Sequence, residues 1–330
     1  MSNLNKLKKS ELLEQFKNLN INKSKTKKEI ISIIESKEII ESKEEKEIIE
    51  YEKPLIKWVG GKTQIIDKII SNFPNEFDNY HELFIGGGSV LLALLENVEK
   101  NKIKVNNSIN AYDINETLIN MYKNIQNKSD ELLLEIKKVI NLYNIDESQE
   151  KYYYSIRNEF NKLSQDEKNK PKGSAYFIFL NKTCFRGVYR EGPNGFNVPF
   201  GHYKNPEIIN EEHLKRVSKL IRNVNFYHSS FDKSFEKVKE NDFIYLDPPY
   251  APENSKSFVG YTSNGFNLEQ HKLLFSLCKK YKFLMSNSDV DLVKESFNDN
   301  KYTITTILCK RSINSKNPEA KTNEVLIKSY

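Results

Sequence analysis

Residues 241–250 read NDFIYLDPPY. Phe243, Ile244, Tyr245 and Leu246 are an unbroken apolar run, the pattern of a strand buried on both faces inside a parallel sheet. Pro248 and Pro249 have no amide hydrogen to offer a ladder, so the strand stops at Asp247. A carboxylate, a stiff backbone and the Tyr250 ring therefore stand at the carboxyl end of a strand, the edge where open α/β sheets bind ligands. For this stretch alone, a strand-ending turn is the alternative.

Three further stretches carry similar chemistry. In KWVGGKTQ (57–64), Gly60 and Gly61 allow a tight turn between Trp58 and Lys62. An aromatic face and an ammonium suit a ligand with a flat or cationic part and an anionic group; a buried tryptophan beside a turn is the structural alternative. FIGGGS (84–89) follows an apolar strand and opens a helix, so Gly86 and Gly88 free backbone amides to meet a polar ligand. It departs from the dinucleotide fingerprint, because Leu91 stands where a third small residue is needed, which disfavours NAD. About 25 residues on, Asp113 ends a strand in YDIN, placed to accept hydrogen bonds from ribose hydroxyls or to cap the next helix.

These residues need a scaffold that brings several strand ends together. From Pro54 onward strand-like and helix-like segments alternate, as in HELFIGGGSVLLALLENV, KVNNSINAYDIN and FLMSNSD (283–289). The alternation predicts an α/β fold with a doubly wound, mostly parallel sheet. Between 117 and 212 the chain turns to aromatic-rich and basic helical stretches, followed by NKTCFRGVYREGPNGFNVPFGHYKNP with turn chemistry at Pro-Asn-Gly. That region reads as a separate domain inserted in the sheet. Ahead of the sheet, LKKSELLEQFKNLNINKSKTKKEIISIIES predicts two short amphipathic helices. Leu12, Leu13, Phe16 and Leu19 line one, Ile30, Ile33 and Ile34 the other, with Ser24 or Thr26 available as a cap. This pair resembles the SAP-type helix-extension-helix module that binds nucleic acid; a small interaction hairpin is the alternative. The charge-dense SKEIIESKEEKEIIEYEKP reads as a solvated linker.

KWVGGK, FIGGGS, YDIN and LDPPY stand in the order and spacing of the Dam-like DNA adenine methyltransferases, the D12 class, group alpha. The resemblance runs from about residue 54 to the end and takes in FNVPFGHYKNP, YTSNGFNLEQH and KRSINS. It implies a Rossmann-like, S-adenosylmethionine-dependent methyltransferase sheet with an inserted, mainly helical target-recognition domain. The implied organisation is a SAP-like module at 1–37, a charged linker at 38–53, the catalytic domain at 54–116 and 213–330, and the recognition domain at 117–212.

The same resemblance implies S-adenosylmethionine as cofactor, with Trp58, Lys62, Asp113 and Asp247 in cofactor positions and Phe84, Gly86 and Gly88 facing its methionine end. It implies transfer of a methyl group to the exocyclic amino nitrogen of an adenine flipped out of double-stranded DNA. Asp247, Pro248, Pro249 and Tyr250 would form the catalytic pocket. The amino lone pair is delocalised into the ring; hydrogen bonds to the Asp247 carboxylate and the Pro248 carbonyl would favour a pyramidal nitrogen, and Tyr250 would stack on the base. Arg190 in FRGVYR matches an arginine that reaches a guanine edge, with Val188 an apolar neighbour. Arg186 stands where GATC-reading members commonly carry Asn, so CATG or another short site is as open as GATC. Lys57 and Arg311 are candidate phosphate or base contacts. A cognate restriction endonuclease is a further partner the resemblance allows.

Composition narrows the setting. The 330 residues are 38% hydrophobic and 29% charged with a net charge of +6, weak support for a polyanionic partner in a chain rich in Asn, Lys and Ile. No run of about 18 apolar residues predicts a membrane span, and the beginning lacks the apolar stretch of a signal peptide. Cys184, Cys278 and Cys309 show no paired spacing, which fits a reducing intracellular compartment. The five histidines fall at no metal-ligand spacing, so no metal is expected. Two other functions compete: amino methylation of cytosine, where Ser more often precedes the two prolines, and a DNA-binding protein with an inactive methyltransferase fold, against which the intact motifs argue.

Overall fold

The computed structural model describes residues 7–15, 21, 24–34, 51–252, 266–310 and 321–330. Two compact units result, Met1–Glu50 and Tyr51–Tyr330.

In the smaller unit, α1 (Lys9–Gln15) and α2 (27–34) are the two expected helices. Thr26 caps α2: the Glu29 carboxylate accepts from the Thr26 amide at 2.7 Å, and the Thr26 hydroxyl accepts from the Glu29 amide at 3.4 Å. This reciprocal box satisfies donors that the first helical turn leaves open. Leu12, Ile30, Ile31 and Ile34 are buried together, with Leu7 and Ile21 packed against them. Ile31 takes the buried place expected of Ile33, which is half-exposed. Leu13, Phe16 and Leu19 lie outside the described side chains.

The larger unit is built on seven strands: β1 (Tyr80–Glu82), β2 (Ile109–Asp113), β3 (Val224–His228), β4 (Phe243–Leu246), β5 (Lys282–Ser288), β6 (Thr303–Lys310) and β7 (Lys321–Lys328). Their order across the sheet is β3-β2-β1-β4-β5-β7-β6. The pairs β1–β2, β2–β3, β1–β4 and β4–β5 are parallel, whereas β7 runs antiparallel to both β5 and β6. From β1 the chain winds outward to β3, then returns to β4 on the other side of β1. The connections leaving β1 and β4 therefore diverge, which opens a crevice at their carboxyl ends. Every side chain of β4 is buried. Phe243 and Tyr245 join the core on one face, Ile244 and Leu246 the core on the other, as the two-residue period of a strand requires.

Helices cover both faces. They are α3 (Ile66–Ile70), α4 (Ser89–Glu99), α5 (Glu116–Asn127), α6 (Ser129–Ile145), α7 (Gln149–Lys162), α8 (Gln165–Lys168), α9 (Pro171–Thr183), α10 (Glu211–Leu220), α11 (Phe231–Ser234), α12 (Leu268–Cys278) and α13 (Asp291–Ser296). The segment between β2 and β3 is mainly helical, from α5 to α10, with a hairpin of two-residue strands after α9, Glu191–Gly192 against Gly195–Phe196. It has no core of its own. Ile136, Phe160, Phe177 and Phe179 belong to one apolar cluster with Leu118, Tyr122, Leu91 and Phe243. The unit also begins before Pro54: Tyr51 packs on this core, and the Glu52 amide donates to Glu96 Oε2 at 3.2 Å.

Candidate active site at the carboxyl edge of the sheet

Asp247 follows the last residue of β4, and Lys62 Nζ lies 2.6 Å from its Oδ2. Lys62 is only 4% exposed. Its ammonium also donates to the Gly60 carbonyl at 2.5 Å and sits 5.0 Å from the centre of the Tyr250 ring. Its backbone amide donates to Ser89 Oγ at 3.2 Å, at the first residue of α4. The second carboxylate oxygen, Asp247 Oδ1, is buried and has no donor among the described residues. Burial pushes the Asp247 carboxyl above its ordinary range; the Lys62 ammonium pulls it back and Glu324 adds to the rise. The site therefore holds an acceptor whose donor is not among the described residues.

The loop beyond is fastened to neighbouring strands. Ala251 donates its amide to Asn287 Oδ1 at 3.1 Å and accepts at its carbonyl from Ser288 Oγ at 2.5 Å, both at the end of β5. The Tyr250 hydroxyl donates to Glu324 Oε2 at 2.8 Å, on β7. Pro248 is buried and Pro249 exposed. Asn287 and Ser288 were within reach of the sequence as the polar end of FLMSNSD. Glu324 carried no such signal, since an acid before Val325–Ile327 reads as an ordinary strand start.

The glycine turn requires its glycines. Gly86 has φ +48° and Gly88 φ +78°, the left-handed region that only glycine enters freely. A Cβ on Gly86 would stand 2.7 Å from Trp58 Cδ1, and one on Gly88 2.6 Å from the Tyr122 hydroxyl. That hydroxyl donates to the Gly86 carbonyl at 3.0 Å. Asp113 is not a helix cap: Asn115 accepts from the Leu118 amide at 2.9 Å and starts α5. The Asp113 oxygens accept instead from the Gly86 amide at 3.1 Å and the Asn115 amide at 2.9 Å, tying the end of β2 to the glycine turn. Burial raises its pKa against those backbone donors. Each oxygen has a second lone pair, so the carboxylate can still accept from a ligand.

The two aromatic residues pack into different cores. Trp58 packs with the core that includes Phe177 and stacks on Tyr189 at 5.6 Å and 21°. Phe84 packs with the other core, stacked on Phe231 at 5.9 Å and edge-on to Phe266 at 5.8 Å.

Asn181, at the end of α9, joins the first motif to FRGVYR. It accepts from the Lys57 amide at 2.9 Å, and its Nδ2 donates to the carbonyls of Lys57 at 2.8 Å and Gly187 at 3.1 Å. Nothing in the spacing of motifs pointed to it. The Lys57 ammonium is 4.7 Å from the Tyr203 ring centre. Arg186 stands at φ +59° with its guanidinium 5.3 Å from the ring of Phe185, which is 50% exposed. Val188 is half-buried. Arg190 is exposed, and its Nε donates to Asn197 Oδ1 at 2.7 Å. Lys57, Arg186, Val188 and Arg190 are thus brought to one region, while Arg311 lies outside the described residues.

A family model described as D12 class N6 adenine-specific DNA methyltransferase matches residues 58–313. The type II methyltransferase M.MjaIII of Methanocaldococcus jannaschii is 39% identical over 295 residues, spanning 84% of this chain and 99% of that protein. The DNA adenine methylase of Haemophilus influenzae is 32% identical over 278 residues, spanning 81% of this chain and 89% of its own length. That of Escherichia coli is 30% identical over 288 residues, 84% of this chain and 95% of the relative.

Proposed function

This chain belongs to the D12 class of N6 adenine-specific DNA methyltransferases, and from that premise we propose how its residues divide the work. The reaction moves a methyl group from S-adenosylmethionine, whose sulfonium makes that methyl electrophilic, to an adenine amino nitrogen in DNA. The residues present fit such a cofactor. Trp58 and Tyr122 press so closely on the turn that Gly86 and Gly88 admit no Cβ, which leaves the backbone amides there uncovered by side chains of their own, and Asp113 keeps lone pairs beside the turn for ribose hydroxyls. Trp58 and Phe84 border that turn, and Lys62 retains one ammonium hydrogen beyond those given to Gly60 and Asp247.

The observation that carries the reading is Asp247 Oδ1, a buried carboxylate oxygen with no donor among the described residues. An adenine amino group supplies that donor. Asp247 holds one amino hydrogen and the Pro248 carbonyl the other, which draws the nitrogen lone pair out of conjugation and aims it. Lys62 favours the ionised form of Asp247 against burial, and Tyr250 receives the base on the ring face away from the ammonium. Once nitrogen carries the new methyl group it is acidic, and its extra proton leaves by way of the Asp247 carboxylate.

A base placed so deeply must leave its stack, so the substrate is duplex DNA with the adenine turned out. The exposed Arg186, Phe185 and Arg190 then face the duplex, Arg190 reading a guanine edge and Lys57 meeting phosphate or base. Purified protein given labelled S-adenosylmethionine and genomic DNA should transfer label to adenine N6 at one short sequence. Methylation-sensitive sequencing of that DNA names the site, and label scattered over unrelated sequences would overturn site-specific recognition.

A further inference from the structure

We propose that Glu324 is a positioning residue for methyl transfer, holding the Tyr250 ring in the attitude in which it receives the target base. The inference rests on the role given above to Tyr250. Its grounds are the path of the chain over the sheet edge. The parallel strands β1, β2, β3 and β4 present their carboxyl ends at the site, but β7 is antiparallel and presents its beginning. Glu324 pairs in register with Ser288, the last residue of β5, so it stands at that same edge. The loop from Asp247 crosses the end of β5, where Asn287 and Ser288 hold Ala251 by amide and carbonyl. It brings the Tyr250 hydroxyl to Glu324 Oε2 at 2.8 Å.

A tyrosine held only at its backbone can still turn about its two side-chain torsions. Fixing the hydroxyl at the far end removes that freedom, and a charged acceptor does so more firmly than a neutral one. The Lys62 ammonium, 5.0 Å from the ring centre, marks one face of the ring as taken. Glu324 thereby sets the direction of the other face. The fold of β7 does not depend on Glu324: Val325, Leu326 and Ile327 bury that strand, while Glu324 is half-exposed.

The test compares Tyr250→Phe, Glu324→Ala, Glu324→Gln and the double variant Tyr250→Phe/Glu324→Ala with wild type, on a duplex carrying the mapped site. Single-turnover methylation, fluorescence of 2-aminopurine at the target base with S-adenosylhomocysteine bound, and Tm are read for each. Glu324→Ala and Tyr250→Phe should each slow single turnover roughly ten- to hundredfold, the cost of a mispositioned reactant. Tm should stay near wild type and the 2-aminopurine signal should change. Glu324→Gln, whose amide oxygen still accepts, should recover most of the rate. The double variant should be no slower than the slower single one, because both remove the same contact. An unchanged rate in Glu324→Ala, or losses that multiply in the double variant, overturns the role of Glu324 while wild-type methylation leaves the enzyme's function standing. A wild type that methylates no adenine overturns both.

Discussion

At the residue scale, Asp247 and Lys62 have to be considered as one unit. Lys62 is 4% exposed and its counter-charge is Asp247 at 2.6 Å, so removing either leaves a charge in a poorly solvated place. Asp247→Ala should abolish methyl transfer, by about 10²-fold or more, and should also lower stability by about 3–5 kcal/mol, the usual cost of breaking a buried pair. Calorimetry beside single-turnover assays separates the two losses; turnover within about tenfold of wild type would remove Asp247 from the mechanism. Lys62→Met tests the electrostatics. The ammonium lowers the Asp247 pKa against burial, so without it the carboxyl ionises only at higher pH, and the acid limb of the kcat/KM profile should move upward. Glu82 gives the matching test on stability. Burial pushes its carboxyl from 4.5 up to about 8, so the folded state binds that proton more tightly than the unfolded chain. Stability is then fully present below about 4.5 and is lost as pH rises towards about 8, by up to about 1.4 kcal/mol per pH unit. Glu82→Gln cannot titrate, so urea unfolding should show the variant gaining on wild type between pH 5 and pH 8. Of these residues Asp247, Asp113, Gly86 and Gly88 were legible as punctuation where a strand stops, and Lys62 because the turn glycines Gly60 and Gly61 stand directly before it. Glu324 was not: it meets Tyr250 across 74 residues of chain, and only strand order brings them together.

At the scale of elements, the strand ends were the readable part. Proline after β4 stops the ladder and glycine after β1 lets the chain turn out of it, so these two motifs mark places where the backbone leaves the sheet. The helical insertion was readable in composition but not in packing. Its aromatic helices look like a separate domain, yet Phe177 and Phe179 on α9 share one apolar cluster with Leu91 on α4 and Phe243 on β4, outside the insertion. A change of composition marks where an insertion enters, whereas a core boundary depends on which faces meet in space. The joint matters for recognition, because Asn181 on α9 couples the Lys57 backbone to the turn that presents Arg186 and Arg190. If Arg190 reads a guanine edge, Arg190→Ala should lose about 1–3 kcal/mol of discrimination at a single base pair. Rates over a library of single-base variants of the site would show one pair relaxed. A phosphate contact would instead lower all sequences by a similar factor. An unaltered ranking of every variant would rule out direct readout by Arg190.

At the scale of the molecule, the larger unit carries the candidate site, both apolar faces of the sheet and the helical insertion, so its activity should not need the smaller one. The cut belongs before Tyr51, which packs on the core, and before Glu52, whose amide is bonded to Glu96. A protein of residues 51–330 should therefore fold and methylate short duplexes at the rate of the full chain. What it should lose is affinity for long DNA, if the smaller unit is a SAP-like binder. That unit carries Lys8, Lys9, Lys25, Lys27 and Lys28 on and around its two helices. Each phosphate that such lysines neutralise adds about 0.9 to the slope of log K against log salt on duplex DNA. The full chain should then show a steeper salt dependence than residues 51–330 on long duplexes, and the two should converge on a duplex too short to reach both units. Equal slopes at every duplex length would mean that the helical pair neutralises no phosphate, and its apolar seam of Leu12, Ile30, Ile31 and Ile34 would then serve only to hold a small surface for a protein partner.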